Sequence, residues 1–152
     1  MVRNKKIIIA IGGGGFTHSS DEDLDEYVIN QVNKSNINIG FLPTASNDNQ
    51  EKTDLFYKRF KSQKFKLSHF NLCSSVGGFN EWLLNKDIIY VGGGNTSEMI
   101  NIWKRHNLIK AFKDAYEKGI ILSGISAGAV CWFDWILSDS CLLYTSDAAD
   151  DL

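Results

Sequence analysis

The chain predicts an α/β fold, a three-layer sandwich with a parallel sheet between helices. Three observations predict it. Short runs of Ile, Val and Leu alternate along the chain with longer amphipathic stretches, the order that builds β-α-β units. The apolar runs are continuous rather than alternating, as in strands covered on both faces. Glycine-rich turns follow Ile11, Val91 and Ser123. In a parallel sheet all of these lie on the carboxyl edge, where such sheets bind ligands.

The elements follow in order. Ile7–Ile11 reads as the first strand. The basic residues before it imitate a signal peptide, but the run is short, runs into Gly12–Gly15 and has no small-residue cleavage site. Residues 24–32 carry Leu24, Tyr27, Val28, Gln31 and Val32 at helical spacing. The acidic start Asp21-Glu22-Asp23 suits the positive end of a helix dipole. Ile37–Leu42 is a second strand, ended by Pro43, and 48–60 is a helix with Leu55, Phe56 and Phe60 inward. A strand at 66–70, a helix at 79–84 and a strand at 87–91 come next. Residues 97–103 and 108–118 are helical, with Gly119 as a C-cap before a strand at 120–123.

With 152 residues, 43% apolar and 22% charged, the chain is an ordinary globular domain able to bury a core. No apolar run approaches a membrane span, so no membrane is expected. Cys73, Cys131 and Cys141 form no C-x-x-C pair, which fits a reduced, cytoplasmic protein. The net charge of −2 names no partner. The cluster Lys58, Arg59, Lys61, Lys64 and Lys66 reads as a solvated helix face and its exit. There is no zinc-finger spacing and no aromatic-basic pattern for single strands, so no nucleic acid is expected.

The glycine turns carry the chemistry. Gly12–Gly15 is not followed by Lys-Ser/Thr, so it is no Walker loop, and the third glycine of a dinucleotide fingerprint is missing. It reads as a turn that lets other loops approach a pocket. Gly92-Gly93-Gly94-Asn95-Thr96 ends a strand and opens a helix. Its amides have the character of an oxyanion hole, although a bare βα turn would look the same. Gly124-Ile125-Ser126-Ala127-Gly128 is a G-x-S-x-G at a strand end. A serine there is thrown into a sharp turn with its hydroxyl exposed, and the amide after it is the first oxyanion donor.

The pair of Gly92–Thr96 and Gly124–Gly128 after consecutive strands resembles the peptidase S51 family, which includes dipeptidase E (aspartyl dipeptidase) and the cyanophycinases. Gly12-Gly13-Gly14, Phe41-Leu42-Pro43-Thr44-Ala45 and Ser126–Phe133 belong to the same resemblance, which covers Lys5 to about Ser140. It implies a flavodoxin-like fold of the class I glutamine amidotransferase-like type. It also implies Ser126 as nucleophile, and Gly93 (or Gly94) with Ala127 as oxyanion amides. Asp139 matches the acidic residue of the family's triad, and a capping or surface aspartate is the competing reading. The implied activity is serine-type hydrolysis of small peptides, with N-terminal Asp as one substrate class and no cofactor or metal.

The catalytic histidine is the difficulty. The family places it downstream of the acidic residue, whereas the chain's histidines are His18, His69 and His106. His18 lies on the correct edge of the sheet and reads as a surface or substrate-side group; His69 and His106 read as structural. Residues 1–140 are expected to form the N-terminal part of an S51-type domain. Cys141–Leu152 does not resemble the family's continuation and reads as a non-native tail. The expectation is therefore a fragment without its base, inactive by itself, with a sheet edge and apolar surface near Trp132, Phe133, Trp135 and Ile136 exposed. Two alternatives stand beside the hydrolase. One is cysteine-based acyl transfer through Cys131, five positions after the elbow serine and inside the helix. The other is a non-catalytic ligand-binding or interaction protein of flavodoxin-like fold.

Overall fold

A computed structural model of the chain describes residues 5–139. The elements run β1 (Ile8–Ile11), α1 (Glu22–Ile29), β2 (Ile37–Leu42), α2 (Gln50–Phe60), β3 (Phe65–His69), α3 (Phe79–Leu84), β4 (Ile88–Val91), α4 (Thr96–Arg105), α5 (Ile109–Glu117), β5 (Ile121–Ile125) and α6 (Ala127–Val130). The five strands form one sheet in the order β1-β5-β4-β2-β3. Every pairing is parallel.

Alternate strand residues face opposite layers. Leu42, Ile89, Val91 and Leu122 point to the side covered by α3, α4 and α5, where Phe79, Leu83, Met99, Trp103 and Phe112 pack on them. Ile39, Phe41, Ile88, Tyr90 and Ile121 point to the side covered by α1 and α2, against Val28, Phe56 and Phe60. This is the expected three-layer sandwich.

The strand order does what the linear pattern cannot show. β5 lies between β1 and β4, so the turns after Ile11, Val91 and Ile125 are next to one another on one edge. The first and third are separated by more than a hundred positions in the chain, and parallel pairing alone brings them together.

Several boundaries differ from expectation for local reasons. β5 reaches Ile125 because Gly124 and Ile125 pair with Ala10 and Ile11 of β1, so Ser126 follows the strand directly. α1 ends at Ile29, and residues 30–32 make tighter turns, with the Val32 amide on the Ile29 carbonyl at 3.0 Å. Short 3₁₀ turns at Phe16–His18 and Thr44–Ser46 have no signal in the hydrophobic pattern. Gly119 stands one position past the C-cap of α5 with φ 88°, as a helix-ending glycine should.

Two surface expectations are corrected. Arg59 is not a solvated cation: its side chain is only 19% exposed and pairs with Asp25 of α1. Trp132 is half-buried, with its ring 5.8 Å from Trp103 and 5.7 Å from Phe112. Ile136 is also half-buried, whereas Phe133 and Trp135 are exposed. The expected boundary at 140/141 and the tail 141–152 lie outside the described residues. Among the described residues, no helix is long and apolar enough to cross a membrane.

Candidate active site

Ser126 sits at the junction of β5 and α6 with φ 54° and ψ −113°. Ser19, Asp21 and Asn47 also have positive φ, but their ψ values of 37°, 51° and 47° put them in the left-handed helical region. Ser126 does not lie there, and such backbone costs about 1–3 kcal/mol when a side chain is present. The turn therefore stores strain at an exposed serine.

The glycines of the motif have a packing cause. A β-carbon on Gly124 would lie 2.2 Å from the Gly128 carbonyl oxygen, and one on Gly128 would lie 2.0 Å from the Val91 carbonyl oxygen. The four-residue α6 thus lies against the backbone of β4 and β5 with no room for a methyl group. This close approach lets the chain turn sharply enough to lift Ser126 above the sheet edge.

The turn after β4 meets Ser126 from the side. A β-carbon on Gly93 would stand 3.1 Å from Ser126 Cβ and 3.7 Å from its Oγ. The Gly92 amide donates to the Leu42 carbonyl at 2.9 Å, and the Asn95 amide to Ala45 at 2.7 Å. Those bonds pin both ends of the turn and leave Gly93 and Gly94 between them. Asn95 caps α4, its side chain accepting from the Glu98 amide at 3.0 Å.

Thr17, His18, Phe41, Ser46, Lys52, Gly92–Gly94 and Ser126 line one cleft of about 260 Å³. His18 comes from the turn after β1, and Lys52 from the first turn of α2. The Lys52 ammonium donates to the Thr17 carbonyl at 3.0 Å. His18 Nδ1 is 3.3 Å from the Gly14 carbonyl oxygen and 3.1 Å from Thr17 Oγ1. Among the described residues no acidic side chain lines the cleft, and Lys52 brings a positive charge to it.

The sequence expectations meet this geometry unevenly. Ser126 and Gly93 line the cleft. Ala127 is buried as the first residue of α6, where its amide has no acceptor within the helix. Asp139 is exposed on the segment after α6 and is not among the cleft residues. His69 ends β3 and shares a hydrogen bond with the Tyr57 hydroxyl at 2.9 Å; His106 caps α4. Neither lines the cleft. Cys131 is not inside a helix but caps α6, its thiol donating to the Gly128 carbonyl at 3.3 Å. Burial pushes that thiol well above its ordinary range, the reverse of what a nucleophile needs.

Lys52 is the charged cleft residue that sequence reasoning missed, along with Thr17 and Ser46. Its signal was present: it lies one turn into a helix that follows a strand, and such a helix starts at the carboxyl edge. Among the described residues, no group of His, Cys, Asp and Glu is placed to hold a metal ion.

The chain is 40% identical over 137 residues to the uncharacterized peptidase YgaJ of Bacillus subtilis (strain 168). The match takes in 89% of this chain and 60% of that protein, so the chain spans about three-fifths of its relative's length. A candidate peptidase E protein from Listeria monocytogenes EGD-e superposes with a TM-score of 0.62 at 22% identity, over 81% of this chain and 58% of that one. A peptidase from an acI-B1 Actinobacterium superposes with a TM-score of 0.70 at 16% identity, over 86% of this chain and 58% of its own. At these identities the two structures establish the shared fold. The model of peptidase family S51 matches residues 8–148, and with the relative's identity this shows that the chain belongs to peptidase family S51.

Proposed function

We propose that the chain carries the nucleophile half of a serine-type peptidase site. The observation that carries this reading is the backbone of Ser126: an exposed serine at φ 54° and ψ −113°, raised at a strand end against the glycine turn of a neighbouring strand. Ser126 Oγ attacks a peptide carbonyl carbon, and the amides of Gly93 and Ala127 receive the developing oxyanion. The C–N bond breaks, the amine leaves with a proton, and an acyl-enzyme ester remains. Water then cleaves that ester and regenerates the serine.

The substrate class in this reading is a small peptide bearing a carboxylate, such as one with N-terminal Asp. The cleft charges support it. Lys52 lines the same cleft as Ser126, and among the described residues no carboxylate does, so an anionic group is favoured there over an ammonium. Asp139 is the acid that the resemblance implies, and Asp139→Asn is the variant that checks it.

A base is required as well. Among the described residues no histidine is hydrogen-bonded to Ser126, and His18 Nδ1 is engaged by Gly14 and Thr17. Negligible peptidase turnover by the 152-residue chain is the expected result.

The experiment is covalent labelling by a fluorophosphonate, in this chain and in a form carried to the length of its relatives. The longer form is expected to label at Ser126 and to lose labelling in Ser126→Ala. Equal labelling of both would remove the nucleophile role.

A further inference from the structure

The turn that brings Thr17 and His18 to the cleft is gripped from behind by groups that do not line it. We propose that Asp25, Arg59 and Tyr90 are positioning residues, a buried clasp that sets where Thr17 and His18 stand relative to Ser126. The clasp is itself a matter of geometry; its consequence for catalysis rests on the Ser126 reading above.

Asp25 lies on α1 with no exposure. Its Oδ2 accepts from Arg59 Nε of α2 at 3.3 Å, and its Oδ1 accepts from the Tyr90 hydroxyl of β4 at 3.3 Å. Gly15, two residues before Thr17, lies against the same carboxyl: a β-carbon there would stand 3.0 Å from Asp25 Oδ1 and 3.3 Å from the Tyr90 hydroxyl oxygen. Arg59 reaches onward to the Glu22 carbonyl at 3.1 Å. One carboxyl therefore joins α1, α2, β4 and the turn after β1.

Two further grips hold the same turn. The Phe16 ring sits 4.7 Å from Tyr90, 5.3 Å from Phe41 and 5.4 Å from Phe60. Lys52, seven positions before Arg59 on the same face of α2, donates to the Thr17 carbonyl at 3.0 Å. The turn is thus tied at Phe16 and at Thr17, and His18 follows immediately. Tyr90 also lies two residues before Gly92, so the clasp reaches the backbone that leads into the second glycine turn.

A buried ion pair is poor evidence for stability, since well-packed apolar residues replace such pairs at little cost. What it supplies here is directional. Oxygen atoms with fixed donors hold one backbone position, whereas an apolar contact would tolerate sliding.

The test compares Asp25→Asn, Arg59→Met, Arg59→Lys and the double variant Asp25→Leu/Arg59→Met. The readouts are the His18 ring resonances by NMR, the thermal midpoint, and the rate of Ser126 labelling in the longer form. Asp25→Asn and Arg59→Met are expected to move the His18 resonances and slow labelling about tenfold. Arg59→Lys should return both toward the parent. The double variant should fold with His18 still displaced. Folded variants with parental His18 resonances would overturn the proposal. So would loss of folding in the double variant, because the pair would then be a stability element only. Absence of Ser126 labelling in the parent would defeat the peptidase reading and leave the His18 arm intact.

Discussion

The amide of Ser126 donates to the carbonyl of Ile11 at 2.9 Å. The serine's own N–H is therefore engaged by the neighbouring strand. In the proposed reaction an oxyanion formed at Ser126 would take its donors from elsewhere, which is the role proposed for the amides of Ala127 and Gly93. The same bond ties the elbow to β1, so the strained serine is held between β1 on one side and β4 on the other.

That strain predicts a stability difference. Ser126→Gly removes the side chain that makes φ 54°, ψ −113° costly, whereas Ser126→Ala keeps a β-carbon. Both variants should lose labelling at this position. Ser126→Gly should be more stable than Ser126→Ala by about 1 kcal/mol, read by urea denaturation. Equal stability of the two would mean that the elbow is unstrained.

The glycines of the elbow should divide sharply from those of the first turn. A methyl group on Gly128 would press within 2.0 Å of the Val91 carbonyl oxygen, while Gly12 and Gly13 have nothing within 4 Å of theirs. Gly128→Ala is expected to cost about 3 kcal/mol or more, as overpacking against backbone does. Gly12→Ala should change stability by no more than about 0.5 kcal/mol. Thermal melts of the two variants check this, and similar losses in both would contradict the close-packing account.

The comparison of sequence with structure has a physical pattern. Ile37–Leu42 and Phe79–Leu84 were legible to the residue, because a run buried on both faces or a compact amphipathic turn leaves its signature in local composition. Strand order was not legible. It depends on which parallel edges meet, and nothing within a strand records its neighbour. The same limit hid Lys52 and Arg59, which sit on a helix rich in charge. Only tertiary packing shows that one lines the cleft and the other pairs with Asp25. The sharp turn at Ser126 was legible because the glycines that permit it, Gly124 and Gly128, are its near neighbours in the chain.

Lys52 should decide affinity for acidic ligands. If its ammonium takes a substrate carboxylate, Lys52→Met loses a charge-assisted hydrogen bond worth about 1.5–3 kcal/mol. Protection of Ser126 from labelling by an aspartyl dipeptide should then need at least about tenfold more ligand. Protection by a dipeptide with neutral side chains should change less. Equal weakening for both ligands would assign Lys52 to holding Thr17 alone.

Asp25 should make stability fall as pH rises. Burial pushes its carboxyl above the ordinary value of 3.8, against the opposing pull of Arg59, the Phe16 amide and Tyr90. The native state thus holds the proton more tightly than the unfolded chain. The stabilisation is complete below 3.8 and is lost as pH climbs through the native value. Each unit of difference is worth about 1.4 kcal/mol. Denaturation of parent and Asp25→Asn at successive pH values should show the parent losing ground as pH increases. Gain of stability with pH would mean that the Arg59 charge outweighs desolvation.

The cysteines should prove inert, which separates a serine site from a cysteine one. Burial first, and then the neighbouring Asp48 carboxylate, pushes the Cys73 thiol to about 11. At pH 8 only about one molecule in a thousand would carry the reactive thiolate. Iodoacetamide should therefore modify Cys73 slowly at pH 8, with the rate rising about tenfold per pH unit toward 11. Asp48→Asn keeps an oxygen for the Cys73 amide, which Asp48 Oδ2 now accepts at 2.8 Å, but removes the charge. It should speed alkylation at pH 8 several-fold while leaving Ser126 labelling unchanged. Peptide mapping reads Cys73 separately from Cys131 and Cys141. Rapid alkylation of Cys131 at pH 8, accompanied by loss of peptidase activity in the longer form, would return the nucleophile role to a thiol.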